Sequence, residues 1–284
     1  MQFSAKRPFL NTLLIVLLVL TAPHLLAVDT SSSERPAAVS GLSVTVKKNT
    51  PANSATNKPP FWGTIFVDPD IVTSDDISTF ISTSYEGTDS RIMYDRRAAD
   101  WVTLQPFIFV ATFDDGLSTE VQVNPEFSDW ENAKNEADKY AWLIGQLPTS
   151  LRTKVETVWI HRGTESFGGG NNNILIHTGR AEKYIADGII EETLIHEGSH
   201  TSLDSEHSNH KDWLEAQKQD EFYISQFALD NPGREDVAES FLTYFAVRYR
   251  RERISDALYE KIMTAIPHRI EYFDNIDLKA YPAK

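Results

Sequence analysis

Residues Glu191 to His207 read EETLIHEGSHTSLDSEH, with His196 and His200 four apart and Glu197 directly after the first histidine. Spacing i, i+4 on an α-helix sets two side chains about one turn apart on the same side, the geometry two imidazoles need to share one zinc ion. The stretch therefore predicts a helix from about Ile189, with Ile190, Leu194 and Ile195 facing a core while His196 and His200 share another face. Glu197 points roughly 100° around that helix from His196. From there its carboxylate can approach a metal-bound water from the side without ligating the metal, as a general base must.

Two histidines need a further ligand. On a continuous helix Asp204 lies about 6 Å further along the axis than His200 and about 12 Å beyond His196, while bonds to zinc are only about 2 Å long. Three ligands at i, i+4 and i+8 cannot close on one ion. The metzincin pattern needs a glycine and a third histidine where this chain has Leu203 and Glu206, and His207 reaches only if the helix breaks early. Glu235 fits better. It opens a predicted helix, Glu235 to Arg251, just after the break signal Asp230-Asn-Pro-Gly233, and Glu239 lies one turn later on the same face. One carboxylate can ligate while the other accepts a hydrogen bond from a liganding imidazole. The helix dipole alone explains acidic residues at a helix start, Glu235 and Asp236, but explains Glu239 poorly.

With these two motifs the chain resembles the gluzincin zinc metallopeptidases, in which a His-Glu-x-x-His helix precedes a separate helix carrying a glutamate ligand and an acidic residue four positions on. The pattern Glu235-x-x-Ala238-Glu239-x-Phe241 is most similar to the catalytic domain of lethal-factor type proteases. The resemblance implies zinc on His196, His200 and Glu235, catalysis by Glu197, support from Glu239 and a zincin-like fold. Such proteases usually carry a tyrosine shortly before the glutamate ligand, donating to the oxyanion. Here the nearest position holds Phe227, and Tyr223, one turn earlier on the same predicted helix, is the substitute. Tyr244 falls about 180° around its helix from Glu235 and is expected to point away.

The rest of the chain gives the setting. Residues 1–27 carry Lys6, Arg7 and an apolar run from Leu13 to Leu20, read as a secretory signal peptide, so the protein is expected to be exported, to a periplasm or outside the cell. The apolar stretch is broken by Pro23 and His24 and falls short of the roughly 20 residues of a membrane span, so no stable span is expected after processing. Residues 28–60, rich in Ser, Thr, Ala, Asn and Pro, read as a disordered or linker arm, with one short strand at Gly41 to Lys47. Residues 61–284 are expected to form one metallopeptidase domain of α+β class, with a mostly antiparallel N-terminal sheet, then the active-site helix and a helical C-terminal lobe.

Within that domain Phe61 to Val67 reads as a strand and Trp101 to Val123 as a hairpin turning at Asp114-Asp-Gly116. Val155 to His161 and Ile174 to His177 read as further strands. Helices are expected at Asp129 to Gln146, Trp213 to Leu229, and Ile254 to Phe273 with an interruption at Pro267. The stretch Asn172 to His177 is the expected edge strand for a substrate, and Gly168-Gly169-Gly170 is expected as a loop, either a flap or a simple connection. His161 and His177, ending apolar strands, are expected to be structural. Arg248, Arg250, Arg251 and Arg253 are expected as a solvated helix end.

A net charge of −14 argues against nucleic acid or an anionic membrane as partner, and the absence of cysteine leaves stability to packing and a bound metal. The expected function is zinc-dependent endopeptidase action on a peptide or protein substrate. An aminopeptidase is the alternative within the same chemistry, and a noncatalytic zinc-stabilised binding protein the alternative outside it.

Overall fold

A computed structural model describes residues 58–283. The expected signal peptide, the strand at Gly41 to Lys47 and all but the last three residues of the arm lie outside the described residues. The first half of the described chain is mostly strand: β1 (Phe80–Thr88), β2 (Arg91–Asp95), β3 (Asp100–Leu104), β4 (Phe107–Phe113) and β5 (Ser118–Val123). Helices α1 (Trp130–Gly145) and α2 (Thr149–Arg152) follow, then β6 (Thr157–His161), β7 (Gly168–Gly170) and β8 (Asn173–His177). Beyond them the described chain is helical: α3 (Thr178–Ala186), α4 (Ile190–Ser202), α5 (Asp204–His207), α6 (Lys211–Gln219), α7 (Gln226–Asp230), α8 (Asp236–Tyr249), α9 (Asp256–Ala265) and α10 (Pro267–Asp274). The fold is α+β.

Six strands form one sheet in the order β1-β4-β5-β6-β8-β7, antiparallel except where β6 pairs with β5 and with β8. Alternation along the strands decides which face each side chain meets. Val158, Ile160, Ile174 and Ile176 enter the main core, whereas Trp159 and Leu175 form a small second layer with Met93 under the β2–β3 hairpin. Helix α1 begins where the Asp129 carboxylate accepts from Asn132 N–H at 2.8 Å, a side-chain N-cap. It buries Ala133, Ala137, Tyr140, Ala141 and Ile144 as one stripe against the sheet.

Several expectations change. Phe61 to Val67 is not a strand; Gly63 adopts φ +74°, which breaks extended backbone, and the segment touches a strand-like partner only at the Phe61–Ser225 bridge. The Val67 and Ile71 N–H groups instead donate to the carboxylate of Glu192 on α4, at 2.8 and 3.0 Å. The run from Trp101 to Phe113 divides at Gln105-Pro106, so β3 pairs with β2 in a two-stranded sheet while β4 and β5 make the hairpin. Trp213 to Leu229 is two helices. Asp220 leaves the helical path to bind Arg269 and the N–H of His268, and Ser225 caps a new helix by accepting from Ala228 N–H.

The edge strand is also reassigned. The glycine triplet is β7 itself, and β8 lies inside the sheet between β6 and β7. Helix α3 separates β8 from α4 in sequence, so the metal-motif helix does not directly follow that strand.

Candidate metal centre

Helix α4 is buried along nearly its whole length, so its neighbours, not its exposed face, fix its position. At its start Glu192 ties it to the 67–71 segment through the two N–H bonds already described, and burial pushes that carboxyl up to about 8. At its end the Thr201 hydroxyl accepts from Gly170 N–H at 2.9 Å and lies 2.8 Å from the carbonyl oxygen of Asn173. Between them Gly169 sits directly on the helix: a Cβ built there would stand 2.0 Å from the carbonyl oxygen of Glu197. Only glycine allows β7 to approach this closely.

Helix α8 is anchored with equal firmness. Glu235 is its N-cap residue and donates its N–H to Asn231 O at 2.9 Å, closing the turn that contains Pro232 and Gly233. The next residue, Asp236, accepts from Arg269 Nε at 2.9 Å and Gln217 Nε2 at 2.8 Å. Arg269 also donates to Asp220 at 2.9 Å, and all three charged side chains are fully buried.

These two helices bring His196, His200 and Glu235 together. The His196 and His200 Nε2 atoms are 3.0 Å apart, and Glu235 Oε2 lies 3.5 Å from the first and 3.2 Å from the second. Ligand atoms around a tetrahedral ion with bonds of 2.0–2.1 Å stand about 3.3 Å from one another. The residues fit a metal ion, and each offers one ligand atom to it. The opposite side of each ring meets a carboxylate: His200 Nδ1 donates to Asp204 Oδ2 at 2.7 Å, and His196 Nδ1 faces Glu239 Oε1 at 3.4 Å. With hydrogen on Nδ1, both Nε2 lone pairs point into the group.

The electrostatics agree with the geometry. Burial works against charge on His200, yet Asp204 and Glu235 hold its pKa well above the usual imidazole value. Burial alone would raise the Glu235 carboxyl, but the two imidazoles hold it far below the usual range. Burial pushes the Glu239 carboxyl up to about 7, against the pull of His196. Three carboxylates converging on two imidazoles make a group built to hold positive charge, as protons or as a cation.

Of the other expected site residues, Glu197 is buried on α4 beside His196, with its carboxylate in electrostatic reach of His196 and Arg96. Tyr223 lies in the loop between α6 and α7, not on a helix, and its ring stacks 4.6 Å from the Arg269 guanidinium. Burial raises its pKa, and Asp236, next to Glu235, adds to that rise. Tyr244 is buried among Phe241, Tyr249 and Phe273. His207 is outside the group and bonds Tyr272 OH through Nδ1 at 2.7 Å. His161 and His177 are fully buried and stacked on each other at 5.6 Å.

Sequence reasoning tested Asp204 only as a ligand and missed it as the partner of His200, although it stands four residues further along. Arg96 and Arg234 were also missed; Arg234 Nε lies 3.3 Å from Glu235 Oε1. Among known proteins, no family model, no curated protein and no solved structure matches the chain. Among the described residues no helix is long and apolar enough to cross a membrane.

Proposed function

We propose that the chain is an exported zinc-dependent endopeptidase of the gluzincin type, with a zincin-like catalytic domain most similar to that of lethal-factor type proteases. The observation that carries this reading is the triad His196, His200 and Glu235, with ligand atoms 3.0 to 3.5 Å apart and Glu197 next to the first ligand on the same helix. Softer metals would favour thiolate ligands; a His2Glu set suits zinc. When bound there, zinc supplies a Lewis acid and a water of lowered pKa.

The chain's own residues do the rest. Glu197 takes the proton of the attacking water and passes it to the leaving amine. Asp204 and Glu239 keep hydrogen on the Nδ1 atoms and so hold both imidazoles in the ligating tautomer. Tyr223 is the candidate donor to the developing oxyanion, with Arg269 fixing its ring. The substrate is an extended peptide laid along β7, the terminal strand of the sheet beside α4.

The test is the Glu197→Gln variant, assayed for metal content and for hydrolysis of a peptide library. The expected result is retained zinc with hydrolysis reduced by at least a thousandfold. Undiminished hydrolysis in that variant overturns the mechanism.

A further inference from the structure

Strand β7 is made of three consecutive glycines, and its two faces look at different things. Gly168 stands opposite Leu175 and Gly169 opposite Ile174 in the antiparallel ladder with β8. Directly opposed residues share a face, so Gly168 faces outward with Leu175, under the β2–β3 hairpin, and Gly169 faces inward with Ile174, towards α4. On the outer face Arg96 Nη2 lies 2.6 Å from where a Gly168 Cβ would stand. On the inner face the Glu197 carbonyl oxygen lies 2.0 Å from where a Gly169 Cβ would stand.

A half-buried guanidinium and the helical turn carrying Glu197 therefore lie on either side of a strand that has no side chains. Glu197 and Arg96 feel each other's charge across it, and the Arg234 guanidinium adds to the positive charge at Arg96. The chain as a whole carries a net charge of −14, so this pairing of two cations beside the ligand group runs against the general field of the protein.

Among the described residues β7 pairs on one side only, with β8. A peptide added to its other side as a strand sends alternate side chains to the two faces. Those on the inner face meet α4 and the ligand group. Those on the outer face pass alongside Arg96. We propose that Arg96 is a specificity-determining residue that selects peptide substrates carrying an Asp or Glu side chain at an outward-facing position of the strand laid along β7. The inference rests on the reading of the site as a peptidase. Its chemistry is the charge-assisted pairing of guanidinium with carboxylate, for which an uncharged amide of the same shape is a poor replacement.

The experiment uses the full chain and a library of N-acetylated, C-amidated decapeptides, each Glu-containing member paired with its Gln counterpart. Hydrolysis is followed with the parent, and binding by calorimetry with Glu197→Gln. At one position near the scissile bond the Glu peptide is expected to exceed its Gln counterpart in kcat/KM, and in affinity for the Glu197→Gln chain, by about tenfold or more. Arg96→Gln is expected to remove that ratio with metal content unchanged, and Arg96→Glu to shift the preference to Lys at the same position. Equal handling of Glu and Gln members by the parent, or a ratio that survives Arg96→Gln, overturns the inference while leaving the peptidase reading standing. If no peptide is cut but the Glu preference appears in binding and depends on Arg96, the peptidase reading fails and the recognition site stands. Absence of both cleavage and binding overturns the two together.

Discussion

Asp204 stands one helical turn beyond His200, and its carboxylate accepts from the His200 Nδ1 at 2.7 Å across the short break between α4 and α5. On the other histidine Glu239 occupies the equivalent place, reached from α8. Each imidazole thus has an acid behind it on a different element, hydrogen-bonded in the case of His200 and 3.4 Å away in the case of His196. Removing either acid frees one ring to turn or change tautomer. Asp204→Asn and Glu239→Gln are each expected to weaken metal binding by roughly 10- to 100-fold, measured by competition with a chelator. Unchanged affinity in both variants would show that the acids do not orient the ligands.

The close approach of β7 to α4 gives a second prediction. Gly169→Ala puts a methyl group 2.0 Å from the Glu197 carbonyl oxygen, so the strand and helix must separate. The expected cost is about 1–3 kcal/mol in urea unfolding. Gly233→Ala meets open space and is expected to change stability by less than about 0.5 kcal/mol. Equal effects from the two substitutions would remove the packing argument.

The Asp220–Arg269–Asp236 group joins the α6–α7 loop and α10 to the start of α8, where Glu235 sits. Arg269→Met leaves two aspartates buried without their partner. The expected loss is roughly 3–5 kcal/mol, read from chemical unfolding. A loss below about 1 kcal/mol would show that the buried charges are solvated by other means.

Glu192 predicts a pH dependence with a definite sign. Burial raises its folded-state pKa from the ordinary glutamate value of 4.5 to about 8, so the folded chain binds this proton more tightly than the unfolded chain. Its contribution favours the fold below about pH 4.5 and declines as pH rises through 8. Glu192→Gln loses one of the two bonds to Val67 and Ile71 and is expected to melt lower at pH 5. Its melting temperature should also fall less than the parent's between pH 5 and pH 8. An identical decline in the two chains would count against the assignment.

What the sequence disclosed depended on how local each relation is. His196 and His200 were legible as a pair because one turn of helix fixes their spacing. Glu235 was legible because Pro232-Gly233 ends the preceding segment and forces a new helix to begin there. Asp204 was misjudged because only its distance from a shared ion was considered; its actual place is behind the ring, where a residue four positions along can reach. The glycine triplet gave no strand signal, since glycine has no β preference, and its role follows from the backbone of α4 packing against it. Strand β1 was overlooked because its Ser, Thr and Gly residues show little alternation, being largely exposed at the opposite edge. Arg96 comes from a turn far upstream, and no local pattern connects it with Glu197.

The most direct test of the central claim is elemental analysis of the purified chain beside Glu235→Ala and His207→Ala. The expected result is one zinc per parent chain, lost from Glu235→Ala and kept in His207→Ala. Zinc absent from the parent, or retained at full stoichiometry without Glu235, would contradict it.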